Sequence, residues 1–242
     1  MIMKTLALIP HYNHPTTITQ VAQAMRGFGL DVLIVDDGSR ADCKPVLDAL
    51  AEQGGIHVVY RLVNGGKGAA VKAGLKYAEG QGYTHVLQVD ADAQHRLADT
   101  EKLLAAASQH PEAVICGWPQ YGSDAPKARL YGRKITDFWN MVNTFSTDIK
   151  DGMCGFRLYP LAPALAVVRE ERVGDRMDFD TEILIRLYWR GVKPVWIKTP
   201  VKYEAGGVSH FRAFDDNVLI SKMHARLFCE MVYKRLSGQW KK

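Results

Sequence analysis

Cysteine is scarce. The 242 residues hold four, Cys43, Cys116, Cys154 and Cys229, and no two form a C-x-x-C pair. That spacing supports neither a zinc site nor a disulfide framework, and it reads as reduced thiols in a cytosolic protein. Long apolar runs are missing too. No stretch approaches the roughly 20 apolar residues of a membrane span. The run from Met1 to Pro10 is too short for a secretory leader and reads as a first strand. Charge is nearly balanced, with 31 Lys and Arg against 26 Asp and Glu and a net charge of +5. An excess this small and dispersed does not argue for nucleic acid; it suits anionic small molecules or an anionic membrane face. There is no internal repeat, low-complexity tract or linker, so residues 1–242 are expected to form one domain. What is present is ordinary globular material, 47% hydrophobic and 24% charged.

The first half alternates strand and helix patterns. Strands are expected over Thr5–Ile9, Val32–Val35, Ile56–Tyr60, Val86–Val89 and Ala113–Cys116. Between them, apolar residues recur at helical spacing, as in Ile18, Val21, Ala22 and Met25, with glycines where each helix should stop. Short, nearly continuous apolar strands between amphipathic helices predict an α/β fold with a mostly parallel sheet covered on both faces. In the second half, helices are expected over Tyr131–Phe145, Thr181–Tyr188 and Asp215–Leu236, and strands over Met153–Tyr159, Val195–Ile197 and Val201–Tyr203.

Three polar clusters follow strand ends, where ligands bind in open parallel sheets. Asp90-Ala91-Asp92, with Gln94, offers oxygen ligands suited to Mg²⁺ or Mn²⁺ shared with substrate phosphates. Asp36-Asp37 can accept hydrogen bonds from a base or a ribose, although Asp-Gly-Ser is also good turn chemistry. Gly65-Gly66-Lys67-Gly68 permits close backbone approach ahead of a helix N-terminus that favours anions. It is not a Walker loop, because Ala69 stands where Ser or Thr should follow Gly-Lys, and it lacks the third glycine of a dinucleotide fingerprint. Taken together, the clusters point to nucleotide-sugar chemistry.

Further along, Arg157 offers a bidentate phosphate contact or a structural ion pair. Asp178, Asp180 and Glu182 open a helix, either as dipole complements or with Asp180 or Glu182 as a base for an acceptor hydroxyl. His210, beside Arg212, offers a third metal ligand, a phosphate contact or a structural histidine.

The ordered set Ile9-Pro10-His11-Tyr12-Asn13, Val35 to Ser39, Asn64 to Gly68, Asp90 to Gln94, Gly155 to Leu158 and Phe179 to Glu182 resembles a known family. It is similar to family 2 inverting glycosyltransferases of the GT-A fold (nucleotide-diphospho-sugar transferase, Rossmann-like), on the dolichol-phosphate-mannose synthase-like branch. The resemblance implies that Pro10, Tyr12, Asp36 and Asp37 line a nucleoside pocket, with Asn13, Gly66, Lys67 and Ala91 in the same nucleotide-binding set. It implies that Asp90 and Asp92 bind a metal–diphosphate, and that Asp180 or Glu182 sits near the acceptor. Arg133 and Arg157 are implied at the acceptor phosphate or the diphosphate, with Gln94, His210 and Arg212 as further phosphate or acceptor contacts. The implied substrates are a UDP- or GDP-sugar and a lipid or polyprenyl-phosphate acceptor.

Two family features are missing: C-terminal membrane spans, and the Gln-x-x-Arg-Trp motif of processive synthases. The segment Ser209 to Asp216 looks like that of a bacterial subgroup found with lipid and pigment assembly enzymes. The last helix carries Lys222, Arg226, Lys234 and Arg235 beside apolar residues, so it suits either peripheral contact with the inner face of the cell membrane or packing on the sheet. Two rivals remain. A nucleotidyltransferase would carry a glycine-rich basic loop after the first strand, where Pro10 to His14 stand instead. A non-catalytic nucleotide-sugar-binding scaffold would bind nucleotide without turnover.

Overall fold

The computed structural model describes residues 3–122, 127–201 and 212–238. The strands are β1 (Thr5–His11), β2 (Asp31–Asp36), β3 (Ile56–Tyr60), β4 (His85–Gln88), β5 (Val114–Tyr121), β6 (Arg157–Pro160) and β7 (Pro194–Val201). They form one seven-stranded sheet in the order β3-β2-β1-β4-β6-β5-β7. All neighbours pair in parallel except β6, which runs antiparallel to both β4 and β5. The mostly parallel sheet expected from the sequence is the one observed.

Both faces of the sheet are buried, because successive strand side chains point to opposite sides. Leu6, Leu8, Leu33, Val35 and Val86 face one core cluster, whereas Ala7, Ile9, Val32, Ile34 and Leu87 face the other. The second cluster is covered by α1 (Ile18–Gly27), α2 (Lys44–Ala51) and α4 (Thr100–Gln109). The first is covered by α3 (Lys67–Gly80), α6 (Leu161–Glu170), α7 (Phe179–Trp189) and α8 (Ala213–Leu236). A further helix, α5 (Lys127–Thr144), packs against α7 and α8. The chain moves outward from β1 to β2 and β3, then returns to place β4 on the other side of β1. That reversal makes a crevice at the carboxyl ends of β1 and β4.

The second half departs from the sequence-based expectation in three places. Helix α6, which follows β6 directly, was not expected, although Leu161, Ala164, Leu165 and Val167 bury one face. The strand expected from Met153 begins only at Arg157, because the N–H groups of Met153 and Cys154 bond to the Asp151 carboxylate and hold residues 151–154 in a turn. The two strands expected after Val195 are one, β7, up to Val201; residues 202–203 lie outside the described set. Pro194 and Pro200 are tolerated there because β7 is an edge strand.

Helix α8 is a packed element: Ile220, Met223, Leu227 and Met231 are buried in the core, whereas Val218 and Val232 stay exposed. No helix among the described residues is long and apolar enough to cross a membrane. All four cysteines are free. Burial pushes the thiols of Cys116 and Cys154 up to about 12, so they stay protonated and unreactive.

Candidate active site

A cleft of about 930 Å³ opens at the carboxyl edge of the sheet. Its walls come from segments far apart in sequence: Pro10 and Tyr12 after β1, Asp37 after β2, Gly66 and Lys67 opening α3, and Asp90 to Asp92 after β4. Arg133 on α5, Asp180 on α7 and Arg212 ahead of α8 complete it. Strand ends deliver the polar side chains because backbone pairing stops there and turn residues take over.

At the centre lies a buried ionic cluster. Lys67 Nζ stands 2.6 Å from Asp90 Oδ1 and 2.7 Å from Asp180 Oδ2. The other Asp180 oxygen accepts a 2.9 Å hydrogen bond from Gln88 Nε2, at the end of β4. His95 Nε2 approaches Asp90 Oδ2 at 3.6 Å, with its ring stacked on Phe156. Burial would raise the Asp90 carboxyl, but Lys67 and His95 outweigh it and hold the group well below the usual carboxylate range. Asp92 goes the other way: burial first, then the Asp90 charge, pushes it up. Burial would lower Lys67, but Asp180 and Asp90 hold it above its ordinary range, so it stays charged. Gly155 runs directly beneath this cluster. A Cβ there would collide with Lys67 Nζ and lie 2.6 Å from an Asp90 oxygen, so only glycine leaves the pair its place.

The residues fit a hard divalent cation. Asp90 and Asp92 present carboxylate oxygens to the open cleft, and a resident ammonium already occupies the edge of Asp90. No group of three His, Cys, Asp or Glu side chains among the described residues closes a metal site unaided. The remaining ligands would therefore be diphosphate oxygens and water, the shell that Mg²⁺ commonly keeps.

On the first wall, Asp37 accepts hydrogen bonds from Gly65 N (3.1 Å) and Gly66 N (2.6 Å) and pairs with Arg61 at 2.7 Å. Burial nevertheless leaves its carboxyl raised. The N–H groups of Gly65 and Gly66 are thus taken by Asp37, and the loop serves to fix Asp37 and aim Lys67. Gly66 is held at φ +100°, and a Cβ would meet the Asp175 carbonyl at 2.6 Å. Asp36 and Asn13 lie behind the cleft wall, not on it. Asp36 bonds to His11 Nδ1 (2.8 Å) and Ser39 Oγ (2.5 Å), and Asn13 Oδ1 accepts from Arg40 N. Burial opposes ionisation of Asp36, but these hydrogen bonds win and lower its pKa. Asp36 therefore positions His11, which does line the cleft.

Two expected site residues prove to be internal struts. Arg157 is fully buried and donates to the carbonyls of Asp180, Asp151 and Gly152, so it braces the first turn of α7 and meets no phosphate. Glu182 is 0% exposed. It accepts from Gly174 N, from Arg186 Nε at 2.8 Å and from both terminal nitrogens of Arg226 at 2.7 and 2.8 Å. Helical spacing turns it away from Asp180, so Glu182 cannot reach an acceptor. His210 lies outside the described residues.

The structure brings Pro10, Tyr12, Asp37, Gly66, Lys67, Asp90, Ala91, Asp92, Gln94, Arg133, Asp180 and Arg212 to one cleft. It adds His95, Arg176 and Asn217, which the sequence pattern did not single out. The signal for His95 was its place three residues after Asp92; Arg176 carried none, sitting in the loop before α7.

On α5, burial, aided by the Asp151 carboxylate and opposed by Arg133, pushes the Asp137 carboxyl up to about 7. A raised carboxyl binds more protons folded than unfolded between about pH 4 and pH 7, so stability falls as pH rises through that window. Asp137→Asn removes this penalty. Its melting temperature is expected to match that of the unmodified protein near pH 4 and to exceed it above pH 7, by about 2–4 °C for each kcal/mol regained. Thermal scans across that range check it, and equal melting temperatures at pH 8 would refute it.

The order of strands, the antiparallel β6 and the acidic cluster after β4 together define a nucleotide-diphospho-sugar type of α/β enzyme. A family model described as Glycosyl transferase family 2 matches residues 7–160, more than half the chain, and the protein belongs to that family. A dolichyl-phosphate beta-glucosyltransferase of Trichomonas vaginalis is 30% identical over 65% of this chain and 50% of its own. An undecaprenyl-phosphate mannosyltransferase of Micrococcus luteus is 33% identical over 60% of this chain and 68% of its own. The chain thus spans about half the length of the first of these relatives. Among solved structures, glucosyl-3-phosphoglycerate synthase from Mycobacterium tuberculosis, in complex with Mn²⁺ and uridine-diphosphate-glucose, superposes with a TM-score of 0.70. It covers 95% of this chain and 79% of that one at 13% identity, a likeness of fold, and the fold is GT-A.

Proposed function

We propose that this protein transfers a sugar, with inversion, from a UDP- or GDP-sugar to a lipid phosphate of the polyprenyl type, as one catalytic domain working at the inner face of the cell membrane. The observation that carries the reading is the Lys67–Asp90–Asp180 cluster, with Asp92 beside it, facing a cleft rimmed by Arg133, Arg176 and Arg212. One end of the cleft suits a nucleoside diphosphate and the other an anionic acceptor. The two relatives above are named for lipid-phosphate acceptors, and the structural neighbour holds a nucleotide sugar with Mn²⁺.

In the reaction, an acceptor oxygen attacks the anomeric carbon as the bond to the diphosphate oxygen breaks, and the nucleoside diphosphate leaves with the electron pair. A bound Mg²⁺ or Mn²⁺, held by Asp90 and Asp92, would supply Lewis-acid stabilisation of that leaving group. Lys67 places a permanent positive charge beside the same position. A phosphate acceptor is already ionised and needs no base. A hydroxyl acceptor would pass its proton to Asp180, which Gln88 and Lys67 hold facing the cleft. Arg133, fixed to Asp151 at 2.5 Å, and Arg212 would receive the acceptor phosphate.

Calorimetric titration with UDP, GDP, CDP and dTDP, each with and without Mn²⁺, tests the reading. One of UDP or GDP is expected to bind, and to bind at least tenfold more tightly with the metal. A folded protein that binds none of the four would sink the proposal.

A further inference from the structure

Both α5 and α8 begin at the cleft and run away from it side by side. Gly132, Arg133 and Thr136 of α5, and Asp216 and Asn217 of α8, line the cleft. Further along, Trp139 stacks on His224 and meets Phe228 edge-on, and Arg235 lies over the Phe145 ring. One side of each helix packs inward, yet the other side is apolar as well. On α5, Tyr131, Ile135 and Phe138 are 67%, 62% and 55% exposed. Their spacing of four and three residues puts them in one stripe about 10 Å long. On α8, Phe214, Val218, Phe228, Val232 and Leu236 form a second exposed stripe at the same helical spacing. A solvent-facing double stripe of large apolar side chains is unusual for a monomer and marks a binding surface.

The charges around the stripes select the occupant. Lys134, Lys222 and Arg235 are exposed on the two helices. The acidic side chains of α8 are mostly engaged elsewhere: Glu230 pairs with Arg186, Asp216 accepts from Arg212 N, and Asp215 pairs with Arg212. Apolar stripes edged by cations are the pattern of a helix lying in the plane of an anionic lipid surface.

We propose that the outward face of α5 and α8 docks on an anionic bilayer, with the cleft mouth opening at its edge. A lipid-phosphate acceptor would then reach Arg133 and Arg212 without leaving the bilayer. The inference rests on the lipid-acceptor reading for its purpose and on the exposed side chains for its substance.

Flotation of the full chain with vesicles tests it, using phosphatidylcholine alone and phosphatidylcholine with about one quarter phosphatidylglycerol. The protein is expected to float at least tenfold more with the anionic vesicles. Ile135→Glu/Phe138→Glu, which replaces no residue lining the cleft, is expected to cut flotation at least tenfold while leaving the melting temperature and the nucleotide titration unchanged. Lys134→Glu/Lys222→Glu is expected to abolish the preference for anionic vesicles. Failure of the folded protein to float, or flotation equal in all variants, would overturn the inference. So would a self-associating protein that Ile135→Glu/Phe138→Glu converts to monomer without any vesicle binding, because the stripes would then join two copies. If nucleotide binds with metal and vesicles do not, docking fails and the transferase reading stands. If vesicles bind and no nucleotide does, docking stands and the transferase reading fails.

Discussion

A loss of at least about a thousandfold in kcat/KM is the expected result of Asp90→Asn, equivalent to about 4 kcal/mol of transition-state stabilisation. The substitution removes a negative charge from the site where a divalent cation would meet the diphosphate, and it takes away one of the two carboxylates that Lys67 bridges. The ammonium is then left with Asp180 alone in a buried setting, where a charge needs its partners. Asp92→Asn is expected to abolish turnover as well while leaving the fold intact, because its carboxylate is tied into the structure only lightly, through a hydrogen bond accepted from Gln94 N. The paired measurements are transfer activity and the Mn²⁺ dependence of nucleotide binding. If Asp92→Asn keeps full activity, the metal assignment is wrong.

Glu182→Gln is expected to act through the fold. Glu182 lies at the centre of a buried network in which Arg186 and Arg226 both grip it, and Arg186 also holds Glu171 and Glu230. Removing its charge leaves the buried Arg186 and the partly buried Arg226 short of a partner, a change that costs about 3–5 kcal/mol. In a chain of this size that corresponds to a fall in melting temperature of about 6–20 °C. Asp180→Asn, by contrast, is expected to lower kcat for a hydroxyl acceptor. A Glu182→Gln protein with unchanged melting temperature and lost kcat would restore Glu182 as a catalytic base and refute the structural assignment.

The sheet was legible because β1, β2 and β4 are buried on both faces, which requires near-continuous apolar runs between amphipathic helices. The acidic cluster was legible because Asp90 and Asp92 stand immediately after such a run. What local pattern could not show is where a charged side chain points once helices pack. Glu182 and Asp180 are two residues apart, and both read as carboxylates opening a helix; one faces the cleft and the other faces Arg226, which lies 44 positions further along the chain. Arg157 read as either a phosphate ligand or a structural ion pair, because a buried arginine bonded to carbonyls leaves no mark in the sequence. The exposed stripe of α5 escaped for the same reason: Ile135 and Phe138 look like core residues until α7 and α8 are seen to occupy the other side. Helix α6 was hidden by its start at Pro160, where strand and helix share no intervening turn signal.

The grip of Arg226 on Glu182 has a mechanical consequence. Arg226 rides on α8, Glu182 is one turn into α7, and Asp180 sits at the start of that same helix. An ionic rivet therefore fastens the helix that carries the outer apolar stripe to the helix that carries the cleft carboxylate Asp180. Because its Glu182 end is fully buried, added salt screens it less than a surface pair. The pair holds α8 in register with α7, so the seat of one helix is fixed to the same rod that positions Asp180.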